Sequence, residues 1–236
     1  MPKLSIIIPV YNEKNTILKV IKKVKNIKTR NIKKELIVVD DFSTDNTRDI
    51  LKRLNDKTVK VLYHKKNMGK GAAIRTAIAH STGDIIAIQD ADLEYEPANI
   101  VKLLQPILNG NADVVYGSRF LGKKLSLFGS GKTMYPHHWI GNRGLTLITN
   151  ILYFTSITDM ETGYKVFKRE VIKNINLKAN RFDFEPEITA KILKKGYKIK
   201  EVPIDFTPRS FKEGKKITWK DGLKAAYYLL KYRFFD

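Results

Sequence analysis

Short β-branched apolar runs alternate with longer amphipathic stretches along most of this chain. Residues 4–10, 35–39, 59–63, 84–88 and 113–116 are dominated by Ile and Val, the composition of strands buried on both faces. Between them Ile17, Val20, Ile21, Val24 and Ile27 recur at the helical period, and Ile50, Leu51 and Leu54, residues 72–79 and residues 100–108 supply three more helical faces. Strand and helix taken in turn predict an α/β fold with a parallel sheet and right-handed crossovers, whose ligands sit beyond the carboxyl ends of the strands. Farther on, the pattern predicts a helix over 139–153, a strand over 164–167, a helix over 185–195, a strand over 199–206 and a closing helix from Trp219. The Gly/Ser/Lys-rich residues 122–132 read as a mobile loop or lid. With no internal repeat or linker, the expected organisation is one domain over 1–218 followed by an amphipathic C-terminal helix over 219–236.

Each of the first five predicted strands ends in polar residues: Asn12-Glu13, Asp40-Asp41, Asn67 to Gly71, Asp90-Ala91-Asp92 and Arg119. Solvation explains one such end more easily than five in alignment. Asp90 and Asp92 carry the most information. Residues two apart on a strand point the same way, so their carboxylates can share one hard cation, and without one each raises the pKa of the other.

At 236 residues with 43% hydrophobic side chains, the chain can bury a substantial core without staples. The absence of cysteine excludes disulfides, thiolate metal sites and cysteine nucleophiles, and fits a reducing compartment. A net charge of +20 favours polyanionic partners, among them an anionic membrane, nucleic acid and sugar-nucleotide phosphates. Met1-Pro2-Lys3-Leu4 runs straight into a strand with no basic-then-apolar leader, and no window holds about 18 apolar residues. The expectation is a chain neither exported by a standard signal nor membrane-spanning.

The turn Asn67-Met68-Gly69-Lys70-Gly71 precedes helix-forming Ala72-Ala73-Ile74-Arg75, so free backbone N–H groups there are expected to face the site and stabilise phosphate. Ile74 stands where a dinucleotide fingerprint needs glycine, which excludes a Rossmann NAD site. Gly129 to Thr133 has the look of a P-loop tail, yet Ser126 replaces the required glycine and no strand precedes it, leaving a basic loop. Asp40-Asp41 can accept hydrogen bonds from a base edge or ribose, with Ser43, Thr44 and Asp45 better placed to cap the next helix. Arg119 and Arg209 are planar forks suited to phosphate. In the last segment Trp219, Leu223, Ala226, Leu230 and Phe234 form one stripe beside Lys220, Lys224 and Lys231, a pattern that fits both an in-plane membrane helix and a core-docked one.

Taken together, Pro9-Val10-Tyr11-Asn12-Glu13, Val38 to Asp45, Asn67 to Gly71, Asp90-Ala91-Asp92-Leu93 and Gly117-Ser118-Arg119 resemble the family 2 glycosyltransferases in residues, order and spacing. Within that family, Asp159-Met160-Glu161-Thr162-Gly163-Tyr164-Lys165 and Glu201-Val202-Pro203-Ile204, Arg209 and Gly214-Lys215-Lys216-Ile217 resemble the dolichyl-phosphate mannose synthase branch. The resemblance implies a GT-A fold, a nucleoside-diphosphate sugar donor of GDP-mannose or UDP-glucose type, Mg²⁺ or Mn²⁺, and inverting transfer to a polyprenyl or dolichyl phosphate. It further implies that Pro9, Tyr11, Glu13 and Asp41 hold the nucleoside, with Asn67, Lys70 and Ala91 completing the donor site. Asp90, Asp92 and Glu94 would face metal and diphosphate; relatives often carry glutamine where Glu94 stands. Arg119, Arg143 and Arg209 would receive the acceptor phosphate, with Asn142 and Thr146 as helpers.

The cation and nearby Lys or Arg would stabilise charge developing on the leaving diphosphate. An ionised phosphate acceptor needs no strong base; a hydroxyl acceptor on a glycan or glycolipid would, and Asp159 or Glu161 would then serve. Relatives in this branch often add C-terminal membrane spans, so the expectation here is a cytoplasmic protein peripheral on the cytoplasmic membrane face, with a membrane-embedded partner protein as a further expectation. A basic nucleic-acid-binding protein is the reading from another class. The chain shows no helix-turn-helix, zinc-finger or RNP pattern, and acids at the strand ends oppose it. A nucleotidyltransferase would need a Gly-rich, basic loop straight after the first strand.

Overall fold

The computed structural model describes residues 2–29, 32–122, 136–209 and 219–235. Residues 123–132 of the expected lid, the Gly129 to Thr133 run and Gly214-Lys215-Lys216-Ile217 lie outside them. The elements run β1 (Lys3–Val10), α1 (Ile17–Asn26), β2 (Lys33–Asp40), α2 (Thr47–Lys52), β3 (Val59–Tyr63), α3 (Lys70–His80), β4 (Ile85–Ile88), α4 (Asn99–Leu108) and β5 (Val114–Ser118). After these come α5 (Pro136–Tyr153), β6 (Lys165–Lys168), α6 (Arg169–Lys173), α7 (Phe184–Lys194), β7 (Ile199–Pro203) and α8 (Trp219–Phe234). They build a seven-stranded sheet in the order β3-β2-β1-β4-β6-β5-β7.

Strand alternation divides the apolar residues between the two faces of this sheet. Leu4, Ile6, Ile8 and Val10 of β1 pack with Ile17, Val20, Ile21 and Val24 of α1 and with Ile100, Leu103 and Leu104 of α4. Ile7, Ile37, Val39, Ile86 and Ile88 face the other way, onto Ala73, Ile74 and Ala77 of α3 and Ile188 and Ile192 of α7. A third cluster joins α5, α7 and α8 through Leu145, Tyr153, Ala190, Ala225, Leu229 and Tyr232.

Three features depart from the periodicity-based expectation. First, β6 is antiparallel to both β4 and β5, although β1 to β4 are parallel, as are β5 and β7. The chain leaves β5 at its carboxyl end, passes through α5 and re-enters the sheet from the same end. The 159–163 turn therefore stands beside the carboxyl ends of the parallel strands. Second, the last strand stops at Pro203 rather than 206: Ile204 N–H still donates to Ser118 O (3.0 Å), but Thr207 N–H donates to Glu94 O (2.9 Å) and Phe206 forms a lone bridge with Tyr95. That crossing carries Arg209 over the Asp90–Glu94 turn.

Third, the closing helix docks by a different stripe. Ala225, Leu229 and Tyr232 of α8 are buried against α5 and α7, and Tyr153 donates its hydroxyl to Leu229 O at 2.7 Å. Leu223, Leu230 and Phe234, three of the expected stripe, point outward together with Tyr227. The packed helix α5 likewise exposes Ile140, Leu147 and Ile151, and Phe154 just after it is exposed too. No helix among the described residues is long and apolar enough to cross a membrane.

Candidate active site

A cavity of about 730 Å³ opens at the carboxyl ends of β1 and β4, bounded by the 159–163 turn, α7 and the crossing segment, and closed on its far side by α5 and α8. Pro9, Tyr11, Glu13, Asp41, Asn67, Lys70, Asp90, Ala91, Asp92, Glu94, Arg119, Asn142, Glu161 and Arg209 all line it. Sequence positions 200 residues apart thus meet in one place. Asp159, Arg143 and Thr146, expected in the same site, stand outside its wall.

The Asp90-Ala91-Asp92 turn is tightly held. Leu93 adopts a left-handed φ of 63°, a backbone strain that an apolar residue accepts only where its surroundings impose it. Asp92 Oδ1 accepts from Glu94 N–H at 3.0 Å. Asp90 Oδ1 pairs with Lys70 Nζ at 2.9 Å, and the same ammonium reaches Glu185 Oε1 at 2.9 Å. Burial alone would depress the Lys70 pKa, but Asp90 and Glu185 hold it well above its ordinary value. Gly163 passes so close to Asp90 that a Cβ there would fall on its carboxylate.

Arg209 gathers the other acids. Its guanidinium lies 3.0 Å from Glu13, 3.2 Å from Asp92 and 3.8 Å from Glu94, and its N–H donates to Glu94 Oε1 at 2.7 Å. Asp92 nevertheless has its pKa pushed up to about 7, by burial first and then by Asp90 and Glu94, with Arg209 opposing. Among the described residues no three acids converge into a ready cage for a metal ion. The donor set still suits a hard divalent cation of the kind that takes one or two carboxylates and fills its shell with substrate phosphate. A guanidinium already standing against Asp92 shows that the position attracts positive charge.

Arg119 is fixed from behind. Asp159, fully buried, receives Arg119 Nε and its backbone N–H on Oδ2 (2.8 and 2.9 Å) and an NH2 on Oδ1 (2.7 Å). Its own N–H donates to Glu201 Oε1 at 2.9 Å. Asp159 therefore positions Arg119, and the expectation that it act as a base is corrected: both oxygens are taken and neither meets the cavity. Arg143 donates to Thr158 O at 3.3 Å, while Thr146 accepts from Met160 N–H at 3.2 Å and steadies the 159–163 turn from below. Asn142 does reach the site, its Oδ1 3.4 Å from Arg119.

The Asn67–Gly71 turn is also corrected. Met68 and Gly69 donate their N–H groups to the two oxygens of Asp41 (2.8 and 2.7 Å), and Ala72 donates to Asn180 O (3.1 Å). The Met68 and Gly69 amides, expected to face phosphate, are thus spent on the protein itself. Gly69, at φ 95°, lies against the Asn180 backbone and the Arg181 side chain with no room for a side chain of its own. His64 completes this arrangement between Asp41 (2.7 Å) and Thr76 (2.9 Å), a role no local pattern announces. Glu185 was equally invisible; its one signal is an acid in the first turn of a helix otherwise read as core.

Comparison with known proteins agrees with this geometry. The model of glycosyl transferase family 2 matches residues 5–175. This chain belongs to that family. It is 33% identical to the UDP-N-acetylglucosamine–dolichyl-phosphate N-acetylglucosaminyltransferase of Methanococcus voltae over 95% of this chain and 94% of that protein. It is 30% identical to the dolichol-phosphate mannosyltransferase of Pyrococcus furiosus over 98% of this chain and 64% of that one. The fold matches glucosyl-3-phosphoglycerate synthase of Mycobacterium tuberculosis, solved with Mn²⁺, uridine diphosphate and phosphoglyceric acid, with a TM-score of 0.74 at 19% identity over all of this chain and 80% of that one. The family 2 glycosyltransferase therefore has a GT-A fold.

Proposed function

We propose that this glycosyltransferase moves a hexose, with inversion, from a nucleoside-diphosphate sugar to a polyprenyl phosphate presented at a membrane surface. The observation that carries this reading is the cavity itself: acids and three arginines, Arg119, Arg181 and Arg209, line it, and the helices closing its far side expose apolar faces to solvent. A soluble acceptor gives no reason for that second feature. The names of the Methanococcus and Pyrococcus relatives support a lipid-phosphate acceptor as well.

Pro9 near the end of β1 and Tyr11 and Glu13 just after it would hold the nucleoside, with Asp41 shaping the neighbouring turn rather than offering a free oxygen. Asp90 and Asp92 would hold a Mg²⁺ or Mn²⁺ ion, which when bound neutralises charge on the diphosphate. Lys70 sits against Asp90 on the same wall and adds fixed positive charge there. Arg119, braced by Asp159 and stacked 5.2 Å from the Phe206 ring, faces the acceptor phosphate with Arg209. A phosphate monoester is ionised at neutral pH, so the attacking oxygen needs no deprotonation. Leu147 and Ile151 of α5 and Phe154 just after it, with Leu223, Leu230 and Phe234 of α8, would enter the interface of a bilayer, which the +20 charge draws in when the leaflet is anionic.

The test is transfer from GDP-mannose, UDP-glucose and UDP-N-acetylglucosamine to a short polyprenyl phosphate, with Mn²⁺ or with EDTA. Metal-dependent glycolipid formation is the expected result. Donor hydrolysis without transfer would redirect the acceptor to a hydroxyl, for which Glu161, lining the cavity, is the available base.

A further inference from the structure

Glu185 has a buried carboxylate only half of which is used. Oε1 pairs with Lys70 at 2.9 Å, yet Oε2 is sealed from solvent and meets no donor. The residue is 5% exposed and lines the cavity from the first turn of the eleven-residue helix α7. A second orphaned oxygen, Glu161 Oε1, lines the same cavity from the 159–163 turn. The two acids are near enough that, after burial, the Glu185 charge is the main cause raising the Glu161 pKa to about 8.

Leaving a buried carboxylate oxygen without a donor is costly. What belongs there must donate hydrogen bonds, carry no negative charge beside Asp90, and lie within one lysine side chain of the cation and diphosphate position. Sugar hydroxyls meet all three conditions. We propose that Glu185 Oε2, with Glu161 opposite, accepts hydrogen bonds from hydroxyls of the donor hexose and so sets which hexose is bound. This rests on the nucleoside-diphosphate sugar reading above. Because Glu185 touches the sugar and not the diphosphate, its removal should be felt by one kind of ligand alone.

The experiment is titration calorimetry with Mn²⁺, comparing UDP with UDP-glucose and UDP-N-acetylglucosamine, and GDP with GDP-mannose, in the wild type and in Glu185→Gln. The expected result is a Kd for the hexose nucleotide raised about tenfold or more, as befits loss of a charge-assisted hydrogen bond, with the Kd of the bare diphosphate within about twofold. Equal weakening of both would show that Glu185 acts through Lys70 on the diphosphate, and no change in either would show that Oε2 meets no ligand group; each overturns the inference. If the wild type binds no nucleotide of either kind, the donor reading itself fails. Should Glu185→Gln not fold, monodeoxy derivatives of the hexose nucleotide on the wild type decide the matter: one position should lose about tenfold, and a flat series overturns the proposal.

Discussion

The half of the sheet formed by β1 to β4 and the half formed by β5 to β7 teach different lessons about how a site is assembled. In the first, parallel strands deliver Glu13, Asp41 and Asp90 to one edge by connectivity alone, each a few residues past the end of an apolar run. In the second, the antiparallel β6 and the crossing after β7 bring Glu161, Gly163 and Arg209 to that edge by tertiary contact. On the proposed reading the first half supplies the acids that meet the donor, and the second half brings in the groups that hold and orient them.

The sharpest break of this division is Asp92→Ala, which removes a carboxylate of the first half. Transfer should fall about a thousandfold or more, in line with loss of a principal electrostatic group. Its melting temperature should not fall, since the buried Asp92 is crowded by Asp90 and Glu94; activity and thermal scans read the two effects. Gly163→Ala tests how far the second half commands the first. The new methyl would displace the Asp90 carboxylate, and a shift of that size costs about a hundredfold in turnover. Unchanged kinetics would mean that the 159–163 turn is no part of the aiming device.

Two neighbouring leucines of α8 sharpen the comparison within the second half. Leu229→Ala empties a fully buried position and should destabilise by about 2–5 kcal/mol in denaturant titrations. Leu230→Ala, 47% exposed before the change, should stay within about 0.5 kcal/mol yet reduce flotation with anionic liposomes. Equal flotation of the two proteins would remove the exposed face as the membrane contact. The smallest effect concerns Glu35, at the edge of the first half remote from the cavity. Burial raises its pKa, but Lys3, Ser5 and Thr82 more than reverse this and lower it from 4.5 to about 2. The stabilisation is complete above about pH 4.5 and is lost as the pH falls toward 2, so Glu35→Gln should flatten the acid limb of a pH–stability curve there.

The same division explains what could be read from the sequence. Apolar runs bounded by acids were enough for the first half, because a parallel strand fixes where its next residue goes. They gave β6 its place but not its direction, since period-two patterning is identical for both senses. Asp159 and Glu161 share one short motif, yet one is sealed behind Arg119 and the other faces the cavity. Only packing separates them. In α8 the residues 223, 226, 230 and 234 and the residues 225, 229 and 232 both offer apolar stripes, and the choice between them was made by α5 and α7.

Arg209 has a consequence beyond the reaction. Because it brings a cation of the chain's own to Glu13, Asp92 and Glu94, these acids are never left without a counter-charge. Maturation is thereby uncoupled from metal supply: thermal scans with and without EDTA should superimpose. A cell short of divalent ions would accumulate an intact, idle enzyme that resumes work when the ions return.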